Sequence, residues 1–253
     1  MKVENSTALV TGGASGLGEG TVKMVAAGGG RAAILDLPSS PGESLAAELG
    51  DAVAFFPTDV TKPDQVEAAV KGAAEKFGGI DVCVNAAGIG PSRRVLTKDK
   101  DLYPLEQFRN IVDVNLIGLF DVLRWSTMVM SENEPSDEGE RGLIVNVSSI
   151  ASIEGQAGQC AYSAAKGGVN AMTIPLARDL AMWGIRILTI CPGIMDTPML
   201  AGAPEHIKEG MKKIHTFPKR LGTAEDFASL VREFMTNTLL NGEVVRLDAA
   251  TRL

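Results

Sequence analysis

Tyr162 and Lys166 bracket the stretch Tyr162-Ser163-Ala164-Ala165-Lys166. On a helix they would share one face, a turn apart. A phenol is too weak an acid for proton transfer near neutral pH. A nearby ammonium and a cationic cofactor ring would favour its ionised form and lower its pKa. Ser149 lies just beyond the apolar run Leu143–Ser148, where its hydroxyl could donate to a substrate carbonyl. The chemistry these three types can share is proton transfer to or from an oxygen on a carbon that changes oxidation state.

A second constellation is Thr11-Gly12-Gly13-Ala14-Ser15-Gly16-Leu17-Gly18. It follows the apolar run Ala8-Leu9-Val10 and opens a helical pattern, so it reads as a strand-to-helix turn. Gly12 permits the sharp turn, Gly16 leaves the backbone open to a pyrophosphate, and Gly18 lets helix and strand pack closely. The helix N-terminus offers free N–H groups to phosphates. Asp36, at the end of the next apolar run, has the spacing of an acid that binds the adenosine ribose hydroxyls of NAD. Its charge would repel the 2′-phosphate of NADP, and the turn holds no Arg or Lys to offset it.

The elements that must position these residues alternate. Strand-like runs are Thr7–Thr11, Ala32–Asp36, Val53–Pro57, Ile80–Asn85, Leu143–Ser148, Arg186–Cys191 and Val244–Asp248. Helical stretches start near Gly16, Gly42, Pro63, Pro104, Gln159 and Thr223. Continuous apolar strands suit a parallel sheet covered on both faces. Repeated strand–helix units give a doubly wound α/β fold of seven strands. No linker or repeat divides residues 1–253, so one domain is expected. Two long connections interrupt the pattern, Ile89 to Tyr103 and Ser131 to Gly142.

Composition narrows the function. The chain has 253 residues, 45% hydrophobic, with a net charge of −7. That acidity argues against a nucleic-acid binder. Cys83, Cys160 and Cys191 form no CxxC pair, so neither zinc nor a disulfide framework is implied. Cys83 and Cys191 read as core thiols. His206 and His215, the two histidines, read as surface or packing residues, and no metal site is expected. No segment has the length of a membrane span, and the first strand begins too early for a presequence. A soluble, cytoplasmic protein is expected.

At these residues the chain resembles the short-chain dehydrogenase/reductase family. The matching elements are "TGGASGLG" (11–18), "DV" (59–60), "NAAG" (85–88), Asn115 in "VNL", Ser149, "YSAAK" (162–166) and "CPG" (191–193). The resemblance implies a Rossmann-type fold. It implies that Ser149 polarises the carbonyl, Tyr162 is the general acid or base, Lys166 holds the nicotinamide ribose, and Asn115 supports a relay water. For the cofactor it implies Gly12, Ser15, Gly16, Leu17, Gly18 and Asp36, then Asp59 and Val60 beside the adenine. It adds Asn85, Ala86 and Gly88 along the cleft, and Pro192, Gly193, Met195 and Thr197 over the nicotinamide. Substrate would meet Ser149, Gln159 and Tyr162. A homotetramer is implied as well.

"LDLPSSPGE", "EGQAGQCAYSAAKGG", "FPKRLG" and "NGEVVRLDAA" bring the resemblance closer to members that oxidise 3-hydroxyacyl-CoA, as does Pro175 inside a helical pattern. Other small secondary alcohols, steroids included, stay open as substrates. A 3-oxoacyl carrier-protein reductase is disfavoured by Asp36, since those enzymes generally use NADPH. A non-catalytic nucleotide-binding scaffold would be favoured had Ser149, Tyr162 or Lys166 been missing. Arg93, Arg94, Lys98 and Lys100 crowd the first long connection. They suit either a solvated loop screened by Asp99 and Asp101, or a partner for the phosphates of coenzyme A.

Overall fold

The computed structural model describes residues 1–201, 209–210 and 213–252; His206 lies outside them. Seven strands form one parallel sheet: β1 (Thr7–Thr11), β2 (Arg31–Asp36), β3 (Val53–Pro57), β4 (Val82–Asn85), β5 (Gly142–Val147), β6 (Ile185–Pro192) and β7 (Val244–Leu247). Their order is β3-β2-β1-β4-β5-β6-β7. The chain starts at the centre, steps outward to β3, then crosses to β4 on the other side of β1. That reversal opens a crevice at the C-terminal ends of β1 and β4, where ligands bind in such sheets.

Helices α1 (Gly16–Ala27), α2 (Gly42–Leu49), α3 (Pro63–Phe77), α4 (Leu105–Val112), α5 (Leu119–Ser131), α6 (Cys160–Leu180), α7 (Pro198–Ala201) and α8 (Ala224–Thr236) complete the layers. Strand alternation sends neighbouring side chains to opposite faces. Ala8 and Val10 join Val22, Val25, Phe227, Val231 and Phe234 of α1 and α8 on one face. Leu9 joins Val66, Val70, Val122 and Leu123 of α3 and α5 on the other. Burying each such side chain is worth about 1.5–3 kcal/mol. Thr223 caps α8 reciprocally with Asp226, which gives acceptors to two of the N–H donors a helix start otherwise leaves unpaired.

β1 and β3 span the residues expected, and the other strands differ by one or two residues at their ends. β4 starts at Val82 because Asp81 turns its carboxylate to accept the Thr7 N–H at 2.7 Å. The larger departure is the single helix expected from Pro104. It is two helices joined by a π-helical turn over Asp113–Gly118. Asn115 sits in that turn with no surface exposed.

Candidate active site

The glycine turn is built for close approach. Gly12 has φ +63° and Gly16 φ +53°, the left-handed region that L side chains avoid. A Cβ on Gly12 would lie 2.9 Å from the backbone of Ala87. The turn is thus pressed against the 85–88 segment, which is tied back by Ala86 N–H to the Thr11 carbonyl at 3.2 Å and Ala87 N–H to the Thr11 hydroxyl at 3.1 Å. Gly18 serves the turn rather than the strand: its Cβ would meet the Gly12 carbonyl at 2.2 Å. Ser15 precedes α1 in extended conformation, and its hydroxyl makes no capping bond. Leu17 is half-buried beside the core. The α1 N-terminus is left open to an anion.

Asp36 reaches into this turn. One carboxylate oxygen accepts from Ala14 N–H at 3.0 Å and the other from Leu37 N–H at 2.8 Å. Thr197, half-buried, faces the turn from the opposite wall, 3.4 Å from where a Gly16 Cβ would be. Pro192 ends β6, and Gly193 packs on Asp248, whose Cα lies 2.8 Å from where a Gly193 Cβ would be. Met195 is buried and bridges to Gly222.

Several residues expected at the cofactor, and Gln159 expected at the substrate, are engaged within the chain. Asp59 accepts from Thr61 N–H and hydroxyl at 2.9 and 2.7 Å, closing the turn into α3. The Val60 carbonyl packs where a Gly118 Cβ would lie, at 2.7 Å, so it supports the π-helical turn. Asn85 is buried and donates to Asn146 Oδ1 at 3.0 Å, clamping β4 to β5. Gln159 accepts from Gln156 N–H at 2.8 Å and so folds onto its own loop.

Gly88, Asn115 and Lys166 converge. A Cβ on Gly88 would lie 2.7 Å from Asn115 Oδ1 and 3.5 Å from Lys166 Nζ. Asn115 Nδ2 donates to the Ile89 and Ile111 carbonyls, both at 2.9 Å, and Oδ1 accepts from Ile89 N–H at 3.3 Å. Its amide therefore pins the start of the 89–103 connection to α4. Lys166 is buried and donates to the Val147 carbonyl at 2.8 Å, at the end of β5. Its Nζ lies 5.9 Å from the centroid of the Tyr162 ring.

Ser149 follows one residue beyond β5. Its hydroxyl accepts the Ala151 N–H at 3.1 Å and is hydrogen-bonded to Tyr162. Burial raises the Tyr162 phenol above its ordinary pKa of 10, opposed by its hydrogen bond with Ser149. Burial pushes Lys166 down to about 8. In the cofactor-free chain burial sets both directions, up for the phenol and down for the ammonium, because each loses hydration in its charged form.

His215 is buried and its Nδ1 lies 2.5 Å from the Arg220 carbonyl, a packing role. Cys83 and Cys191 are buried and Cys160 is exposed. The 89–103 connection is a narrow hairpin, with a bridge from Leu96 to Leu102 and Tyr103 N–H bonded to Val95 O at 2.9 Å. Arg93 N–H holds it to the Gly158 carbonyl at 2.9 Å, just before α6. What sequence reasoning missed is the polar group behind Ser149, formed by Ser152, Asn170 and Cys191. The helical spacing of Lys166, Asn170 and Thr173, all polar on an otherwise packed helix, was the available signal.

Residues 6–208 match the short chain dehydrogenase family. The chain is 47% identical over 252 residues to the 3-hydroxyacyl-CoA dehydrogenase type-2 of Bos taurus, covering 99% of this chain and 97% of that one. To the protein of the same name from Drosophila melanogaster it is 46% identical over 252 residues, 99% of each. A crystal structure of 3-hydroxyacyl-CoA dehydrogenase type-2 from Mycobacterium avium superposes with a TM-score of 0.94 at 41% identity, covering 98% of this chain and 96% of that chain.

Proposed function

The chain belongs to the short chain dehydrogenase family, and from that premise we propose that it interconverts 3-hydroxyacyl-CoA and 3-oxoacyl-CoA using NAD. Dehydrogenases of this family generally use a nicotinamide cofactor. The observation that carries the reading is the gathering of Ser149, Tyr162 and Lys166 at the C-terminal ends of β5 and α6's first turns, across from the glycine turn. The acyl-CoA substrate class is supported by the printed activity of relatives that match the full length of the chain.

The residues fit a dinucleotide. Gly16 keeps the head of α1 free of a side chain, Ser15 presents an unused hydroxyl at that helix N-terminus, and the Asp36 carboxylate lies against the same turn. A nicotinamide cofactor bound there would supply the hydride acceptor for the substrate's hydroxyl-bearing carbon. This chain's residues handle the proton and the oxygen. The Tyr162 phenolate takes the hydroxyl proton, the Ser149 hydroxyl keeps its proton and hydrogen-bonds the same oxygen as it becomes a carbonyl, and Lys166 holds the ribose and favours the phenolate. Asn115 keeps the 89–103 connection off the cleft floor. The exposed side chains of Ile117, Phe120 and Met128 along the α4–α5 arm support a homotetramer.

Mixing the protein with NADH and acetoacetyl-CoA tests the reading, with absorbance loss at the nicotinamide band as the expected result. No turnover in either direction with any short acyl-CoA pair would overturn the substrate assignment. Asp36 motivates NAD over NADP: a lost hydrogen bond and added repulsion should cost on the order of 10²-fold in affinity. Equal turnover with both cofactors would remove Asp36 from that role.

A further inference from the structure

Next to Ser149, the three polar side chains of Ser152, Asn170 and Cys191 are linked to one another. Cys191 Sγ, buried on β6, donates to Asn170 Oδ1 at 3.4 Å. Asn170 Nδ2 donates to Ser152 Oγ at 2.7 Å. Ser152 Oγ donates to the Ser149 carbonyl at 2.5 Å, and Ser152 N–H reaches the same carbonyl at 3.0 Å. Cys191 Sγ also lies 3.8 Å from Ser152 Oγ, a contact in which either atom can donate, so the three side chains close a triangle. An amide oxygen only accepts and an amide nitrogen only donates, so Asn170 takes from the thiol and gives to Ser152. The Ser152 proton is then left for the Ser149 carbonyl.

The linked side chains join three separate elements. Cys191 lies on β6, Asn170 on α6 one turn beyond Lys166, and Ser152 on the short helical turn Ile150–Ser152 that Ser149 caps. One turn further along α6, the Thr173 and Thr189 hydroxyls pair at 2.7 Å in the same helix–strand seam. Among the described residues that pair makes no hydrogen bond to Ser149, Tyr162 or Lys166, whereas nearer the catalytic end Ser148 Oγ also donates to the Lys166 carbonyl at 2.9 Å.

We propose that Ser152, Asn170 and Cys191 are positioning residues for Ser149, fixing its carbonyl so that its hydroxyl keeps the Ala151 N–H and aims its own proton into the cleft. The proposal rests on the catalytic role of Ser149 given above. It assigns no group that touches substrate or cofactor. It makes the orientation of Ser149 depend on α6, the helix that also carries Tyr162 and Lys166, so the three move as one unit. Held geometry of this kind is what lets a donor act without reorganising as charge develops.

The test uses Ser152→Ala, Asn170→Leu, their double variant, and Thr173→Val as a control in the same seam. Each single variant should lower kcat by about 5- to 10-fold, the loss of roughly one held hydrogen bond, with cofactor Kd within about twofold. The double variant should lose no more than the larger single loss, because both cut one network. Cys191→Ala should give a smaller loss that Cys191→Ser restores. Thr173→Val should leave kcat unchanged. Hydrogen exchange at the Ala151 amide reads the same network without substrate: it should quicken in Ser152→Ala and Asn170→Leu and not in Thr173→Val. Additive kcat losses, or unchanged Ala151 exchange in both single variants, would overturn the proposal. Wild-type inactivity on acyl-CoA would count against the substrate reading alone, since the exchange measurement decides the network by itself.

Discussion

At the N-terminal ends of the strands, Arg186 is the second residue of β6 and Glu140 precedes β5, and the two meet at 2.6 Å with side chains only 8% and 6% exposed. Arg186 also donates to the Leu240 carbonyl at 2.8 Å, while Asn133 spans to the Ile80 and Arg141 carbonyls at 2.8 and 2.9 Å. At the C-terminal ends, Lys166 is as deeply buried, yet its hydrogen-bond partner is a neutral carbonyl. One end neutralises its buried charge and locks the loops there; the other leaves an ammonium short of a counter-charge. The difference teaches where this fold spends stability on chemistry. A lysine paired with a carboxylate would be locked as a cation and unavailable to a ribose, and it would no longer respond to a neighbouring phenol.

The largest expected effect lies at the catalytic end. Tyr162→Phe should lower kcat by on the order of 10³-fold or more, within the range of lost acid–base catalysis, while the melting temperature stays within a few degrees. Wild-type oxidation should rise with pH as the phenol ionises, and the residual rate of Tyr162→Phe should be flat. Retention of a tenth of wild-type turnover would remove Tyr162 from its role.

Next comes the opposite end. Glu140→Gln would strand a buried guanidinium, and breaking such pairs costs about 3–5 kcal/mol. Denaturant unfolding should register that loss, with kcat and KM of the folded enzyme changed less than twofold. A loss under about 1 kcal/mol would mean that the pair behaves as an exposed one, and the contrast between the two ends would fail.

Lys166→Met brings the two ends into direct opposition. Lys166 is pushed from 10.5 down to about 8 by burial. Below pH 8 it is charged in both folded and unfolded chains and carries the full cost of burial. Between about 8 and 10.5 the unfolded chain holds the extra proton, so stability rises with pH across that window. Replacing Lys166 by Met should stabilise the cofactor-free protein at pH 7 by about 1–3 kcal/mol, flatten that rise, and weaken cofactor binding and turnover. A destabilised Lys166→Met protein at pH 7 would show that the Val147 hydrogen bond outweighs desolvation.

The same contrast explains what could be read in advance. β1 and β3 were legible to the residue because apolar runs end at turn residues, and the glycine turn was legible because glycine types report backbone demands directly. Asp36, Ser149, Tyr162 and Lys166 announced themselves by type and spacing. The π-helical turn at Asp113–Gly118 was not legible. No proline interrupts it, and its cause is tertiary: Asn115 reaches for Ile89 and Gly118 presses on Val60. Nor was the raised phenol, since sequence shows a lysine one turn away but not that both are desolvated. Glu140 looked like one acid among many in a solvated stretch, because nothing local says that Arg186 waits beneath it.

The smallest expected effect concerns the cations at the cleft's edge. Arg93, Arg94, Lys98 and Lys100 have no ion-pair partner among the described residues, unlike Arg186 at the far end. Arg93 is half-buried with its Nε unpartnered, and its N–H bond to Gly158 docks the hairpin beside the start of α6. Unpaired cations next to a catalytic helix suit the pyrophosphate and 3′-phosphate of coenzyme A, whereas a merely solvated loop would not need docking. Exposed pairs contribute little each, and their field is screened over roughly 10 Å at 0.1 M salt. Reversing Arg93, Arg94 and Lys98 to Glu should therefore raise KM for the acyl-CoA only some 3- to 10-fold at low salt. The rise should shrink as salt is added, and KM for a small CoA-free secondary alcohol should stay the same. An equal rise for both substrates would point to a disturbed hairpin, and no rise at low salt would leave these cations as solvated surface, with the paired and unpaired ends differing in Lys166 alone.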